Sequence, residues 1–306
     1  MEKWSVSALL RKWDLSDIEV TGRFHADTVR RIYQIRSKGG QYILKGIPAS
    51  VPESEISSNT AAHQFLGNEQ GIAPKLILAA DGSCYVKSDG YWFYLLEYIE
   101  GRMMRETEED EFRLGKLAKK LHSYQEYVIP SPMSQNTERF YRWFQERSFK
   151  KEFDSILHSL PDFSHYDQCL IHSDLGPHNA MIRDTGEAVF IDLDKTGIGS
   201  RFLDLGWAFI MQFVELHRES GEMEYHFGLA KAFLEGYYGV EGISREEYEL
   251  IWKGAVYMHI AYMNCYGPDA VEDLWRILLF GMQQKETLYK RYLFDQKPAV
   301  DGCKKK

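Results

Sequence analysis

Residues 170–194 read LIHSDLGPHNAMIRDTGEAVFIDLD, and this ordered set of polar groups says more about the architecture than any other part of the chain. His172, Asp174 and Asn179 follow an apolar run with the spacing H-x-D-L-x-x-x-N. The turn residues Asp184-Thr185-Gly186 reverse the chain into a second apolar run, AVFI, which ends at Asp192. A carboxylate and an amide oxygen one loop-turn apart, with a second carboxylate at a strand end, can offer hard oxygen ligands to one ion, as magnesium requires. Each residue alone is commonly a cap or turn former, so the ordered set carries the argument. A metal site built on His172 and His178 lacks the thiolates and the helical spacing of zinc ligands.

The spacing fits the catalytic loop of kinases, in which the Asp receives the proton of the acceptor hydroxyl and the Asn holds magnesium. Phosphoryl transfer is mostly positioning and charge neutralisation, which explains why one carboxylate must face the nucleophile while the amide faces the metal. The stretch resembles the aminoglycoside phosphotransferase and choline kinase group, small-molecule kinases similar at a distance to protein kinases. Residues 203–206 (LDLG) resemble that group's next Asp-containing helix start, 114–122 (LGKLAKKLH) its Leu-Ala-x-x-Leu-His helix, and 95–101 (LLEYIEG) its hinge. The likeness spans roughly residues 20–210. It implies an α+β, two-lobed protein kinase-like fold, with a small antiparallel-sheet N-lobe, a mostly helical C-lobe and a cleft between them. The lobes would cover 1–97 and 98–294, with 295–306 a frayed tail.

Local patterns outside the motif agree with this layout. Residues 29–36 and 41–47 alternate as strands around the turn Ser37-Lys38-Gly39-Gly40. Further short strands are expected at 75–80, 84–87 and 91–97, and one helix over 53–66 ending near Gly67 or Gly71. Residues 107–126 carry apolar side chains at helical spacing behind Thr107 and an acidic first turn, so Glu106, Glu108, Glu109, Asp110 and Glu111 read as a helix N-terminus. A second helix is expected over 137–159, and long helices from 203 onward, broken near Gly239–Gly242 and Gly267-Pro268.

The resemblance also distributes roles. Asp174 would orient and deprotonate an acceptor hydroxyl, with His172 bracing the loop and Asp204 capping it. Asn179 and Asp192 would hold Mg²⁺. Lys45, in YILKGI, would steady the phosphates of ATP, with GTP the alternative nucleotide. The lysine's usual glutamate partner falls at Asn59, so Glu55, one turn earlier, is the candidate, with Glu53 near it. The phosphate-covering loop would lie in 21–29, where Thr28 could touch phosphate, although a plain β-turn explains that segment equally well. Adenine would bond to hinge backbone around Glu97 and Ile99. Asp194 either approaches a second ion or solvates the strand end, and His122 reads as a core histidine.

The implied activity is an ATP- and Mg²⁺-dependent phosphotransferase acting on a hydroxyl of an aminoglycoside-, choline- or homoserine-like small molecule. The alternative within the same fold is a non-catalytic or spore-coat-type relative that binds nucleotide or a protein partner. A protein kinase is disfavoured by the lack of A-P-E and of a Gly-rich loop, and a metal-dependent hydrolase on Asp174, Asp192 and Asp194 is a rival from another class. Aromatic and acidic residues in 203–292 would suit a cationic acceptor. A net charge of -8 speaks against nucleic acid and against anionic membranes. The four cysteines form no C-x-x-C pair, the N-terminus lacks a signal-peptide run, and no window reaches a bilayer span, so a cytoplasmic monomer or homodimer with no membrane contact is expected.

Overall fold

The computed structural model describes residues 3–24, 30–125, 147–239, 242–263 and 270–296. Thr28, the 137–146 part of an expected helix, and Gly267-Pro268 lie outside them, as does the tail from 297. Two compact units result, Met1–Met103 with Ala180–Asp194, and Met104–Asn179 with Lys195–Lys306. The division expected at residue 97 is therefore drawn at Met103, and the hairpin that carries Asp192 joins the first unit. Backbone pairing explains both shifts. Strand Gly101–Met103 pairs with Ala180–Arg183, which pairs with Ala188–Phe190, and the Phe190 N–H donates to the Ile72 carbonyl at 2.9 Å.

The first unit is organised by an antiparallel sheet in the order Glu19–Phe24, Arg31–Ser37, Gly40–Pro48, Tyr91–Glu97, Leu76–Ile77, with Val86–Ser88 also paired to Tyr91–Glu97. Side chains alternate faces along a strand, and here both faces are buried. Phe93 and Leu95 join Leu9, Leu10 and Trp13 of the N-terminal helical segment in one core cluster, while Trp92, Tyr94 and Leu96 join Ile47 and Ile56 in another. Ile56 belongs to the helix Glu53–Ala62, which continues as a wider π-type turn over His63–Glu69. The first strand takes up residues 21–24 of the segment expected to cover phosphates, with an irregularity in register between Val20 and Gly22.

In the second unit the expected helix at 107–126 spans Glu108–His122, and the Thr107 side chain accepts from the Asp110 N–H at 3.3 Å. Helices Arg201–Met211, Phe227–Tyr238, Arg245–Met263 and Val271–Gln296 follow, with Lys150–Ser159 before them. Two pairs of glycines allow close helix crossings. A Cβ on Gly115 would overlap the Phe233 carbonyl and one on Gly236 the Phe112 carbonyl; likewise Gly206 faces Ala255 and Gly254 faces the Phe202 carbonyl. Phe209, Phe213, Phe233 and Tyr248 fill the space around these crossings, all fully buried. Among the described residues no helix is long and apolar enough to cross a membrane.

Candidate active site

In the first unit, register alone brings the first cluster together. Lys45 lies opposite Tyr94 on neighbouring antiparallel strands, so both side chains leave the same face of the sheet. That face also receives the end of the 180–194 segment. The Lys45 ammonium, almost fully buried, donates to Asp192 Oδ1 at 2.9 Å and to Asp194 Oδ1 at 2.7 Å. Arg30 contacts Asp194 Oδ2 at 2.7 Å, and the Tyr94 hydroxyl donates to Asp194 Oδ1 at 3.3 Å. The Asp194 N–H donates to Asp192 Oδ1 at 3.2 Å. Burial alone would lower the Lys45 pKa, but Asp194, Tyr94 and Asp192 outweigh it and hold the ammonium charged far above its ordinary range. Asp192 is pushed up by burial and drawn further down by Lys45 and Arg30, which leaves it well below the usual carboxylate range. His63, buried beside this cluster, falls to about 4 through burial and the nearby Lys45 charge, and its Nδ1 lies 3.1 Å from the Pro74 carbonyl.

Glu55 does not join the cluster. It is exposed in the first turn of its helix, because the first turn points its side chain to solvent while Ile56 and Asn59 face inward. Glu53 accepts from the Tyr85 hydroxyl at 3.0 Å instead. Glu97 has its N–H committed to the Lys75 carbonyl at 2.9 Å and its carboxylate to Arg183 at 3.0 and 3.3 Å. Ile99 is buried.

The second unit holds the loop that carries Asp174. Asp204, fully buried on helix Arg201–Met211, accepts the His172 N–H on Oδ2 at 2.8 Å and the Ser173 N–H on Oδ1 at 2.7 Å. His122 Nε2 lies 3.0 Å from the same Oδ2, and its Nδ1 lies 2.9 Å from the Tyr237 hydroxyl. Burial raises the Asp204 pKa, yet these donors from His122 and the loop bring it below its ordinary value. Ser173 is held at a φ of 64°, a left-handed conformation that a serine pays about 1 kcal/mol to adopt. The twin acceptor of Asp204 is what fixes it there. Asp174, next in the chain, is half-buried; its Oδ2 accepts from Lys195 Nζ at 3.0 Å and its Oδ1 lies 3.8 Å from His178 Nε2. Burial pushes this carboxyl up, but His178 and Lys195 outweigh it and set it at about 2. Asn179 donates its Nδ2 hydrogen to the Asp174 carbonyl at 2.8 Å. The amide oxygen is thereby turned away from that carbonyl, and it is the atom a hard cation would use.

These residues fit magnesium by donor type: a carboxylate kept ionised at Asp192 and an oriented amide oxygen at Asn179. Among the described residues no group of three or more His, Cys, Asp or Glu side chains is arranged to hold a metal. Sequence reasoning missed Arg30 and Lys195 as partners of the key carboxylates. Lys195 follows Asp194 directly, and a cation beside the strand-end aspartates was the available signal. Sequence reasoning placed Asp110 and Glu111 in the first turn of a helix, where they are found, without assigning them partners. Both are buried, Asp110 accepting the Arg105 N–H at 2.9 Å and Glu111 accepting from Gln212; burial first, with some relief from Gln212, pushes Glu111 up to about 8.

The sequence matches the model of the phosphotransferase enzyme family over residues 21–245. A search of curated proteins finds no significant match. Among solved structures, a microcompartment-associated aminopropanol kinase superposes with a TM-score of 0.65 at 17% identity, covering 96% of this chain and 98% of that one. Choline kinase from Cryptosporidium parvum Iowa II gives 0.62 at 13% identity, covering 96% and 97%. A spectinomycin phosphotransferase, solved with ADP and spectinomycin, gives 0.56 at 17% identity, covering 97% and 95%. At such identities the likeness establishes the fold, and it is the kinase-like fold expected from residues 170–194.

Proposed function

Because the chain belongs to the phosphotransferase enzyme family, we propose that it moves the γ-phosphoryl group of ATP to a hydroxyl of a small molecule. The observation that carries the reading is the Asp174 loop, pinned at His172 and Ser173 by Asp204 and bearing an ionised carboxylate next to an oriented Asn179 amide. Asp174 accepts a hydrogen bond from the acceptor hydroxyl and takes its proton as the new P–O bond forms and the bond to the leaving ADP breaks. Because the transition state is loose, orientation matters more than basicity, so a carboxylate set at about 2 serves well. Asn179 and Asp192 would hold Mg²⁺, which would neutralise charge on the phosphates. Lys45 steadies the phosphates, and backbone near Glu97 and Ile99 takes the base. Thr28 stays a proposed phosphate contact, and GTP the alternative nucleotide. The neighbours named above are an aminopropanol kinase, a choline kinase and a spectinomycin phosphotransferase, which supports a small and cationic acceptor.

A cavity of about 520 Å³ in the second unit is the candidate acceptor site. Ser173, Ile171, Phe163, Leu157, Tyr257 and Met258 line it, so it opens beside the residue that precedes Asp174. A non-catalytic relative that binds nucleotide or a protein partner is the second reading, favoured by Asn59 standing where a glutamate is expected. The test is Mg²⁺-dependent ATP consumption across aminoglycosides, choline, ethanolamine, homoserine, methylthioribose and macrolides, with Asp174→Ala alongside. One acceptor whose turnover disappears in the variant is expected. Near-normal turnover by Asp174→Ala, or a wild type that does not bind Mg·ATP, would sink the proposal.

A further inference from the structure

A lysine that steadies phosphates needs a fixed anionic partner, because an ammonium on a flexible four-carbon stem otherwise samples many positions. The position where a helix glutamate is expected holds Asn59, which is buried but carries no charge, and Glu55 points to solvent. Lys45 instead meets two carboxylates, and their surroundings differ. Asp192 has a side chain 36% exposed, and its Oδ2 is 3.9 Å from Arg30. Asp194 has a side chain only 6% exposed and is gripped from three directions, by Lys45 at 2.7 Å, by Arg30 at 2.7 Å and by the Tyr94 hydroxyl at 3.3 Å.

We infer that Asp194 is the positioning residue for Lys45, taking in this chain the part of a helix glutamate, and that the more open Asp192 is thereby left for the metal. The inference rests on the phosphotransferase reading. The assignment follows from what a nucleotide requires. A metal must approach from the open side, and it can take a carboxylate that water already reaches. A carboxylate only 6% exposed, with one oxygen taken by Lys45 and Tyr94 and the other in ion contact with Arg30, has no open side for a metal, so its contribution is to hold Lys45 in one place. Because neither Asp194 nor Lys45 belongs to the helix Glu53–Ala62, the pairing is made without any side chain of that helix. Movement of that helix would therefore leave the lysine in register, unlike an arrangement in which the helix itself carries the partner.

The experiment is titration of the full-length wild type, Asp194→Asn, Asp194→Glu and Asp192→Asn with ATP at several Mg²⁺ concentrations, together with steady-state rates. Asp194→Asn is expected to weaken ATP binding and raise its KM by at least about tenfold while the Mg²⁺ concentration for half-maximal binding stays put. Asp194→Glu should recover part of the loss, and Asp192→Asn should shift the Mg²⁺ requirement. A shifted Mg²⁺ requirement in Asp194→Asn would make it a metal ligand and overturn the inference, as would an equal loss in Glu55→Gln. If Asp194→Asn does not fold, the double variant Lys45→Met with Asp194→Asn removes both charges. It is expected to fold where the single variant does not, because the buried ammonium left unpaired by that variant is gone as well, and a double variant that stays unfolded overturns the pairing. A wild type that binds no Mg·ATP overturns the proposed function and this role with it. A wild type that binds and turns over while Asp194→Asn matches it overturns this role alone.

Discussion

Asp174 stands between opposed influences, burial on one side and the hydrogen bond from His178 with the Lys195 ammonium on the other, and the latter two win. Its folded pKa of about 2 lies below the ordinary value of about 3.9. The stability it contributes is therefore complete above about pH 4 and is lost as the pH falls toward 2. Under the proposed role the same sign would govern catalysis, since the carboxylate is ionised throughout the neutral range and would produce no acid limb there. Lys195→Met removes the ammonium 3.0 Å from Oδ2 and leaves burial less opposed. The acid limb of kcat should then move up by roughly 1–2 pH units, with turnover at neutral pH reduced. Rate profiles of both proteins carried from about pH 2 to 8 check this, and a limb that stays at about 2 would show that Lys195 does not act on Asp174. Neither Lys195 nor Arg30 could be assigned from spacing alone, because a lysine or arginine near a carboxylate in sequence is usually solvated. Only the fold shows which carboxylate each meets.

At the scale of elements, the loop 172–179 is shaped from below by one helix. Asp204 supplies two acceptors to consecutive backbone N–H groups, and those bonds hold Ser173 at its left-handed φ of 64°. Ser173→Gly should relieve the strain, raising stability by up to about 1 kcal/mol with turnover retained. Asp204→Asn loses one charge-assisted acceptor and should cost about 2–3 kcal/mol and most of the turnover. Thermal melts and rates of both variants test the pair, and a destabilised Ser173→Gly would refute the account of strain. Sequence reading found this helix start and the helix capped by Thr107, since caps and periodicity are local. The crossings at Gly115 with Gly236 and Gly206 with Gly254 were not legible. Within a helix a glycine costs up to about 1 kcal/mol relative to alanine, and only the partner backbone pressed against it explains its place. The strand Glu19–Phe24 was hidden for a similar reason, because its exposed pattern lacks the apolar alternation that marks a strand.

At the scale of the whole molecule, the chain leaves its first unit at Met103 and returns to it at Ala180. A linear reading placed a hinge near residue 97 because composition changes there, and composition cannot reveal a segment that comes back. The return closes the unit chemically as well as by pairing. It brings Ala180–Arg183 to Gly101–Met103, hands the Phe190 N–H to Ile72, and supplies Asp192 and Asp194 to Lys45. Without it, a buried ammonium would have neither carboxylate, a loss of about 3–5 kcal/mol for breaking such a pair on one side. That is a large part of the roughly 5–15 kcal/mol by which a native domain is stable. A fragment of residues 1–103 should therefore show no cooperative thermal transition by circular dichroism. The same fragment with residues 180–194 joined through a flexible linker should recover one, and Lys45→Met should partly rescue the short fragment by removing the unpaired charge. A sharp, native-like melt of 1–103 alone would mean that the sheet is self-sufficient and that the returning hairpin serves the site without holding the unit together.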